Sequence, residues 1–110
     1  MKKKILILGG SGFLGKNLSV YLAKLRRFKI TTISKKTLKN SKKIKKINYI
    51  SCNINNYQKF KKKLKNEKFD FVINFSGNIN HSDKKETFKA HFYDVKNIVK
   101  YIKLTKSGLL

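Results

Sequence analysis

The chain has 110 residues, 28 of them lysine or arginine and 5 aspartate or glutamate, for a formal net charge of +23. Its 40% hydrophobic and 12% aromatic content is too apolar for an intrinsically disordered chain, and its length suits one compact domain, residues 1–110. No apolar run reaches the ~18 residues of a membrane span, the start Met1-Lys2-Lys3-Lys4 lacks the apolar region of a signal peptide, and the one cysteine, Cys52, provides neither a disulfide framework nor a metal cluster, so a cytoplasmic location is expected.

In chain order, Ile5-Leu6-Ile7-Leu8 is a continuous apolar run, the pattern of a strand buried on both faces of a parallel sheet. A helix follows with Leu14, Leu18, Tyr21, Leu22 and Leu25 on its expected inner face. Ile30-Thr31-Thr32-Ile33 is β-branched throughout and reads as the second strand. Residues 35–46 are lysine-rich, with Leu38 and Ile44 their only apolar members, and read as a solvated loop. A third strand spans residues 47–52, and the helix after it turns Tyr57, Phe60 and Leu64 inward. Residues 69–75 form the fourth strand, and a last helix repeats the helical period at Phe88, Phe92, Val95, Val99 and Ile102. Strands alternating with helices imply right-handed crossovers. The expected architecture is α/β, a Rossmann-like, doubly wound parallel sheet, partial, in strand order 3-2-1-4.

The high charge invites a polyanion reading. Against a specific nucleic-acid function, the lysines are scattered through every segment rather than gathered on one stripe. Abundant lysine, asparagine and isoleucine without proline or tryptophan also fits an AT-rich coding background.

Gly9-Gly10-Ser11-Gly12-Phe13-Leu14-Gly15 joins the first strand to the first helix. Glycines there permit the tight turn, let backbone approach a pyrophosphate, and let the helix pack closely on the strand. The helix N-terminus offers free N–H groups and the positive end of its dipole. A mononucleotide phosphate loop is disfavoured, because Gly15-Lys16-Asn17 lacks the hydroxyl that would hold magnesium. Gly9, Gly12 and Gly15 have two residues between each pair, unlike the ordinary fingerprint.

With this spacing, residues 6–18 closely resemble the extended short-chain dehydrogenase/reductases, the NAD-dependent epimerase/dehydratase family. The resemblance runs along nearly the whole chain. Ser51-Cys52-Asn53-Ile54 falls where that family usually carries Gly-Asp-Leu, Asn74-Phe75-Ser76-Gly77 falls on its segment after the fourth strand, and Asn97-Ile98-Val99 on its Asn-Leu-Leu stretch. The resemblance implies that Gly9, Gly12 and Gly15 form the pyrophosphate turn, with backbone N–H groups from Ser11, Phe13 and Leu14. It further implies that Asn53 lies against the adenine through its side-chain oxygen, and that Ser76 and Gly77 line the route to the nicotinamide ribose. Two departures stand out in the last helix: His91, where an Asn-Val segment commonly begins, and Asp94, where glycine is usual.

An NAD site usually puts a carboxylate at the end of the second strand. Here the strand ends Ile33-Ser34-Lys35-Lys36. The Ser34 hydroxyl and the Lys35 and Lys36 ammonium groups suit the 2′-phosphate of NADP, which is favoured slightly over NAD; the abundance of lysine leaves NAD open.

The family's catalytic Tyr-x-x-x-Lys sits on and after a fifth strand, which the chain does not reach, so the expectation is a truncated or partner-requiring portion without turnover of its own. The literal match Tyr57-Gln58-Lys59-Phe60-Lys61 lies in the helix between strands three and four, where Tyr57 is read as core. His81 is a lone loop histidine, Asp83 and Glu86 suit a helix start, and Cys52 suits a small core position. No catalytic or metal-ligating residue is therefore assigned. Two functions stay open: the cofactor-binding part of a nucleotide-sugar epimerase, dehydratase or reductase, and a non-catalytic nucleotide- or polyanion-binding module that kept the fold. No specific nucleic-acid or membrane partner is expected. An unpaired fourth-strand edge at Phe71-Val72-Ile73 would invite self-association or a partner chain.

Overall fold

The computed structural model describes residues 2–9, 13–35, 43–75 and 84–108, with the backbone alone for Phe13 and residues 84–94. Strand β1 (Lys3–Leu8) leads into helix α1 (Phe13–Lys24), and β2 (Phe28–Ser34) is followed by β3 (Ile47–Ser51). Helix α2 (Tyr57–Lys63), β4 (Phe71–Asn74) and helix α3 (Lys84–Thr105) complete the order. The strands form one parallel sheet in the order β3-β2-β1-β4, as expected.

β1 is central because its residues are apolar on both sides of the pleat. Leu6 and Leu8 point into one buried cluster with Phe60, Leu64, Phe69, Ile98 and Tyr101, beneath α2 and α3. Ile5 and Ile7 point into the other with Ala23, Ile30 and Ile47, beneath α1. The register with β4 is pinned at its start by a reciprocal pair: the Lys4 N–H donates to Asp70 Oδ2 at 2.7 Å, and the Asp70 N–H donates to the Lys4 carbonyl at 2.8 Å.

Two helices are rotated from the expected faces. On α1, Leu14, Tyr21 and Leu25 are exposed at 63%, 62% and 40%, and Leu18 and Leu22 are only half-buried. The buried row is Gly15, Ser19 and Ala23, four residues apart. Small side chains let the helix axis lie close over the sheet, and the Ser19 hydroxyl is satisfied by donating to the Lys16 carbonyl at 2.9 Å. On α3, Val95 and Val99 are exposed, whereas Ile98 and Tyr101 are buried and Ile102 packs beside them. The Tyr101 ring lies 5.3 Å from the Phe60 ring, and its hydroxyl donates to the Glu67 carbonyl, so a tyrosine fills the position with its polar atom paired. The side chains of Phe88 and Phe92 lie outside the described residues.

After α3 the chain turns at Lys106, whose φ is 57°, and runs back along β4. The Ser107 hydroxyl accepts from the Phe69 N–H at 2.9 Å. The Gly108 N–H donates to the Phe69 carbonyl at 3.2 Å, and the Gly108 carbonyl accepts from the Val72 N–H at 2.7 Å. The edge of β4 is thus covered at Val72 by the chain's own Gly108, a contact that the expected open edge did not include. A Cβ at Gly108 would drive into the Asp70 carbonyl oxygen.

Gly108→Val is expected to lower unfolding stability by about 1–3 kcal/mol, the range for forced overpacking, measured by urea denaturation. Burial, helped by the Glu67 carboxylate and then Tyr57, raises the Tyr101 pKa. An acid whose folded pKa lies above its unfolded value stabilises the fold below the unfolded pKa, about 10 for tyrosine, and loses that contribution as pH rises through the folded one. Stability should therefore decline at alkaline pH, and Tyr101→Phe should blunt that part of the decline in denaturation curves taken across the range.

Candidate functional site

The carboxyl ends of all four strands open on one side of the molecule, and the strand order reverses at β1, between β2 and β4. That crevice is where open α/β sheets place their ligands. β1 ends at Gly9, whose φ of 80° lies in the left-handed region that a side chain disfavours. The Gly9 N–H donates to the Ile33 carbonyl at 2.8 Å, holding the turn against β2, and on the other side the Phe75 N–H donates to the Leu8 carbonyl at 2.7 Å. α1 starts at Phe13, so the N–H groups of Phe13, Leu14 and Gly15 belong to its first turn, where the helix supplies no acceptor. Gly15 is buried and the Leu14 side chain is exposed. Ser11 and Gly12 lie outside the described residues, as do Ser76, Gly77, His81, Asp83 and Lys36.

At the next strand, Ser34 is half-buried and Lys35 exposed. The Ser34 carbonyl accepts from the Cys52 N–H at 2.9 Å and the Lys35 carbonyl from the Ser51 hydroxyl at 3.2 Å, so the ends of β2 and β3 are tied together. Lys63 reaches back from α2 to donate to the Ser51 carbonyl at 2.9 Å. Cys52 is buried in the cluster beneath α2 and α3, and burial raises its thiol pKa against the opposing pull of Lys63 and Lys59.

Asn53 is exposed at the mouth of β3. Its Oδ1 accepts from the Asn55 N–H at 3.0 Å, and its carbonyl accepts from the Asn56 N–H at 3.1 Å, which makes a tight Asx turn. Asn56 then caps α2 by accepting from the Lys59 N–H at 3.2 Å. A clamp from α3 completes the arrangement: Asn97 Nδ2 donates to the carbonyls of Ile54 at 2.7 Å and Asn55 at 3.1 Å. Sequence matching located Asn97 on a family stretch without giving it this task. The local signal was a lone amide in an otherwise apolar and basic helical segment.

Tyr57 and Lys61 lie on α2, where the Lys61 ammonium stands 5.6 Å from the Tyr57 ring centroid and Lys100 stands 4.5 Å from it. This is cation–π packing around a half-buried ring. The side chains of Glu86, His91 and Asp94 lie outside the described residues. Among the described residues, no cluster of three or more histidine, cysteine or acidic residues is positioned to hold a metal.

The model of the NAD dependent epimerase/dehydratase family matches residues 5–108. The chain belongs to that family. No curated protein matches it, but solved structures share its fold. An epimerase, Mth375, from Methanothermobacter thermautotrophicus superposes with a TM-score of 0.81 at 17% identity, over 98% of this chain and 33% of that one. ADP-L-glycero-D-manno-heptose-6-epimerase from Helicobacter pylori gives a TM-score of 0.81 at 20% identity, over 98% of this chain and 38% of that one. The Bordetella bronchiseptica enzyme WbmG, in complex with NAD and UDP, gives 0.81 at 19% identity, over 97% and 36%. The chain therefore spans roughly a third of the length of these relatives. Among the described residues, no helix is long and apolar enough to cross a membrane.

Asn97→Ala should loosen the 53–55 turn, costing about 1–2 kcal/mol for the two lost bonds and unpaired carbonyls. Faster amide exchange at Asn55 and Asn56, against unchanged exchange in β1, would check it.

Proposed function

We propose that this chain is the dinucleotide-holding portion, residues 1–110, of an epimerase-, dehydratase- or reductase-like protein acting on a nucleotide-linked sugar, located in the cytoplasm. The observation that carries the reading is the left-handed Gly9 at the reversal of strand order, with the N-terminus of α1 four residues on at Phe13. The site fits a dinucleotide: no Cβ stands at Gly9, the first-turn N–H groups of α1 suit a pyrophosphate, and Asn53 offers an exposed amide at the end of β3. Gly9, Ser11, Gly12, Phe13, Leu14 and Gly15 would hold the pyrophosphate, Ser34 and Lys35 the adenosine ribose or its 2′-phosphate, Asn53 the adenine, and Ser76 and Gly77 the nicotinamide ribose. NADP is favoured over NAD by the ammonium of Lys35 and the lack of a carboxylate at 34–36.

When bound, the nicotinamide supplies hydride transfer to and from the sugar. The chain's own task is to grip and orient the cofactor. Tyr57 and Lys61 are packing residues of α2 and take no part in hydride transfer in this reading. Self-association, or docking of a partner chain, would use the β4 side of the sheet in competition with the Gly108 segment. The net charge of +23 favours a second reading, a non-catalytic module for nucleotides or polyanions.

Fluorescence titration with NADPH and NADH separately, with heparin as control, tests both. Saturable binding with preference for a dinucleotide, abolished by Gly12→Val and with the NADPH preference reduced by Lys35→Glu, is expected. Heparin binding as tight as either cofactor, with a signal that collapses as salt rises, would sink the cofactor reading.

A further inference from the structure

The amino ends of the strands carry a second feature, independent of the glycine turn. A cavity of about 470 Å³ lies there, beneath the last turn of α1, and five cationic residues line it: Lys2 and Lys4 at the start of β1, Lys29 at the start of β2, Lys46 just before β3, and Arg26 after α1. Ala23 and Phe28 contribute its apolar wall. Among the described residues no carboxylate belongs to the lining, with Glu67 standing beside it against Lys4 and Lys29, and the volume falls within the range of small-ligand sites. The length of β1 separates it from Gly9 by roughly 20 Å, at about 3.3 Å per residue.

One carboxylate meets two of these five charges. Glu67 pairs with Lys4 at 2.9 Å and reaches Lys29 at 4.0 Å. Among the described residues, no ion pair involves Lys2, Arg26 or Lys46. Two carbonyls at the end of α1 are met by backbone: the Leu22 carbonyl accepts from the Leu25 N–H at 3.2 Å and the Ala23 carbonyl from the Arg26 N–H at 3.3 Å. Arg26 itself has a φ of 56°, the left-handed turn that ends the helix and brings the chain round to Phe28. Five of the seven lining residues are cationic, and they come from separate stretches of the chain that the fold brings together.

We propose that this cavity binds a compact polyphosphate, free or carried on a nucleoside. A guanidinium offers forked donors to phosphate oxygens, and lysines spread over three strand starts can meet charges distributed along a chain of phosphates. A monocarboxylate would engage only part of this set. The concave shape and the Phe28 wall suit a small ligand better than a nucleic-acid backbone, which is met by an extended basic surface.

The test uses the full chain and two probes, inorganic tripolyphosphate and ATP, at about 0.15 M salt, where exposed charges are screened beyond about 8 Å. Amide resonances are followed during titration. Saturable shifts centred on Ala23, Arg26, Phe28 and Lys29 are expected, retained in Gly12→Val. The triple variant Lys2→Gln, Arg26→Gln, Lys46→Gln should weaken tripolyphosphate by about tenfold or more, as for lost charge-assisted hydrogen bonds. Lys62→Gln, Lys96→Gln, Lys103→Gln, with equal net charge, should change it by less than about twofold. Tighter ATP than tripolyphosphate assigns the nucleoside form, and equal affinity the free form. Shifts scattered over lysines throughout the chain, equal weakening by both triples, or no saturable binding would overturn the proposal. Should the first triple fail to fold, the resonance map of the unmodified chain decides alone.

Discussion

β1 and β2 are the two strands paired on both edges and buried on both faces, and β1, with residues 5–8 buried, is the one at which the strand order reverses. The other elements take their positions from it. Burial on both faces disfavours unpaired polar side chains, and β1 meets it with four successive apolar residues, whereas β2 carries the short polar Thr31 and Thr32 between Ile30 and Ile33. The reversal of strand order on either side of β1 leaves the crevice at its carboxyl end, and Gly9 lies at the point where the chain must leave the sheet and turn into α1. The glycine turn is thus placed by the sheet. Its N–H is held by β2, and the neighbouring Leu8 carbonyl by Phe75 after β4.

Charge is arranged around this frame and stays outside it. Among the described residues, the buried members of the two clusters include no ionisable group except the Cys52 thiol and the Tyr101 phenol, and burial favours the neutral form of both. Lysines occupy the rims, where several lie over aromatic rings: Lys3 over Phe71, and Lys61 and Lys100 over Tyr57. With so few carboxylates, ring faces and backbone carbonyls take over part of the role that ion pairs play in a balanced sequence. The two ends of the sheet differ accordingly. The carboxyl end has the first-turn N–H groups of α1, and the amino end offers side-chain cations around a cavity.

The membership of each helix in the fold was legible, and its rotation was not. Hydropathy places Leu14, Tyr21 and Leu25 on the inner side of α1 because it scores residues by polarity. The sheet selects by size, and Gly15, Ser19 and Ala23 form the row that permits close approach, Ser19 being tolerated because its hydroxyl bonds within its own helix. On α3 the valines at 95 and 99 match a core pattern, but Tyr101 claims the space over Phe60 once its hydroxyl finds the Glu67 carbonyl, a partner 34 residues away. The site divides in the same way. Gly9 stood out by glycine spacing, and Asn53 was singled out only through the family resemblance. The Asx turn at Asn53 and the clamp from Asn97, 42 and 43 residues from its acceptors, depend on α3 lying beside the β3–α2 loop.

The sequence by itself determined the alternation of strands and helices, the buried character of β1, the strand order through the crossover rules, the glycine turn and, by resemblance, the family. These are properties of period, composition and short-range spacing, which a linear chain carries openly. Tertiary structure alone decided the faces on which α1 and α3 pack, the covering of Val72 by Gly108, the Asn97 clamp and the gathering of Lys2, Lys4, Arg26, Lys29 and Lys46 around one cavity. Each of these joins residues distant in sequence, and among so many lysines no local signal distinguishes the five that converge from those that simply face water.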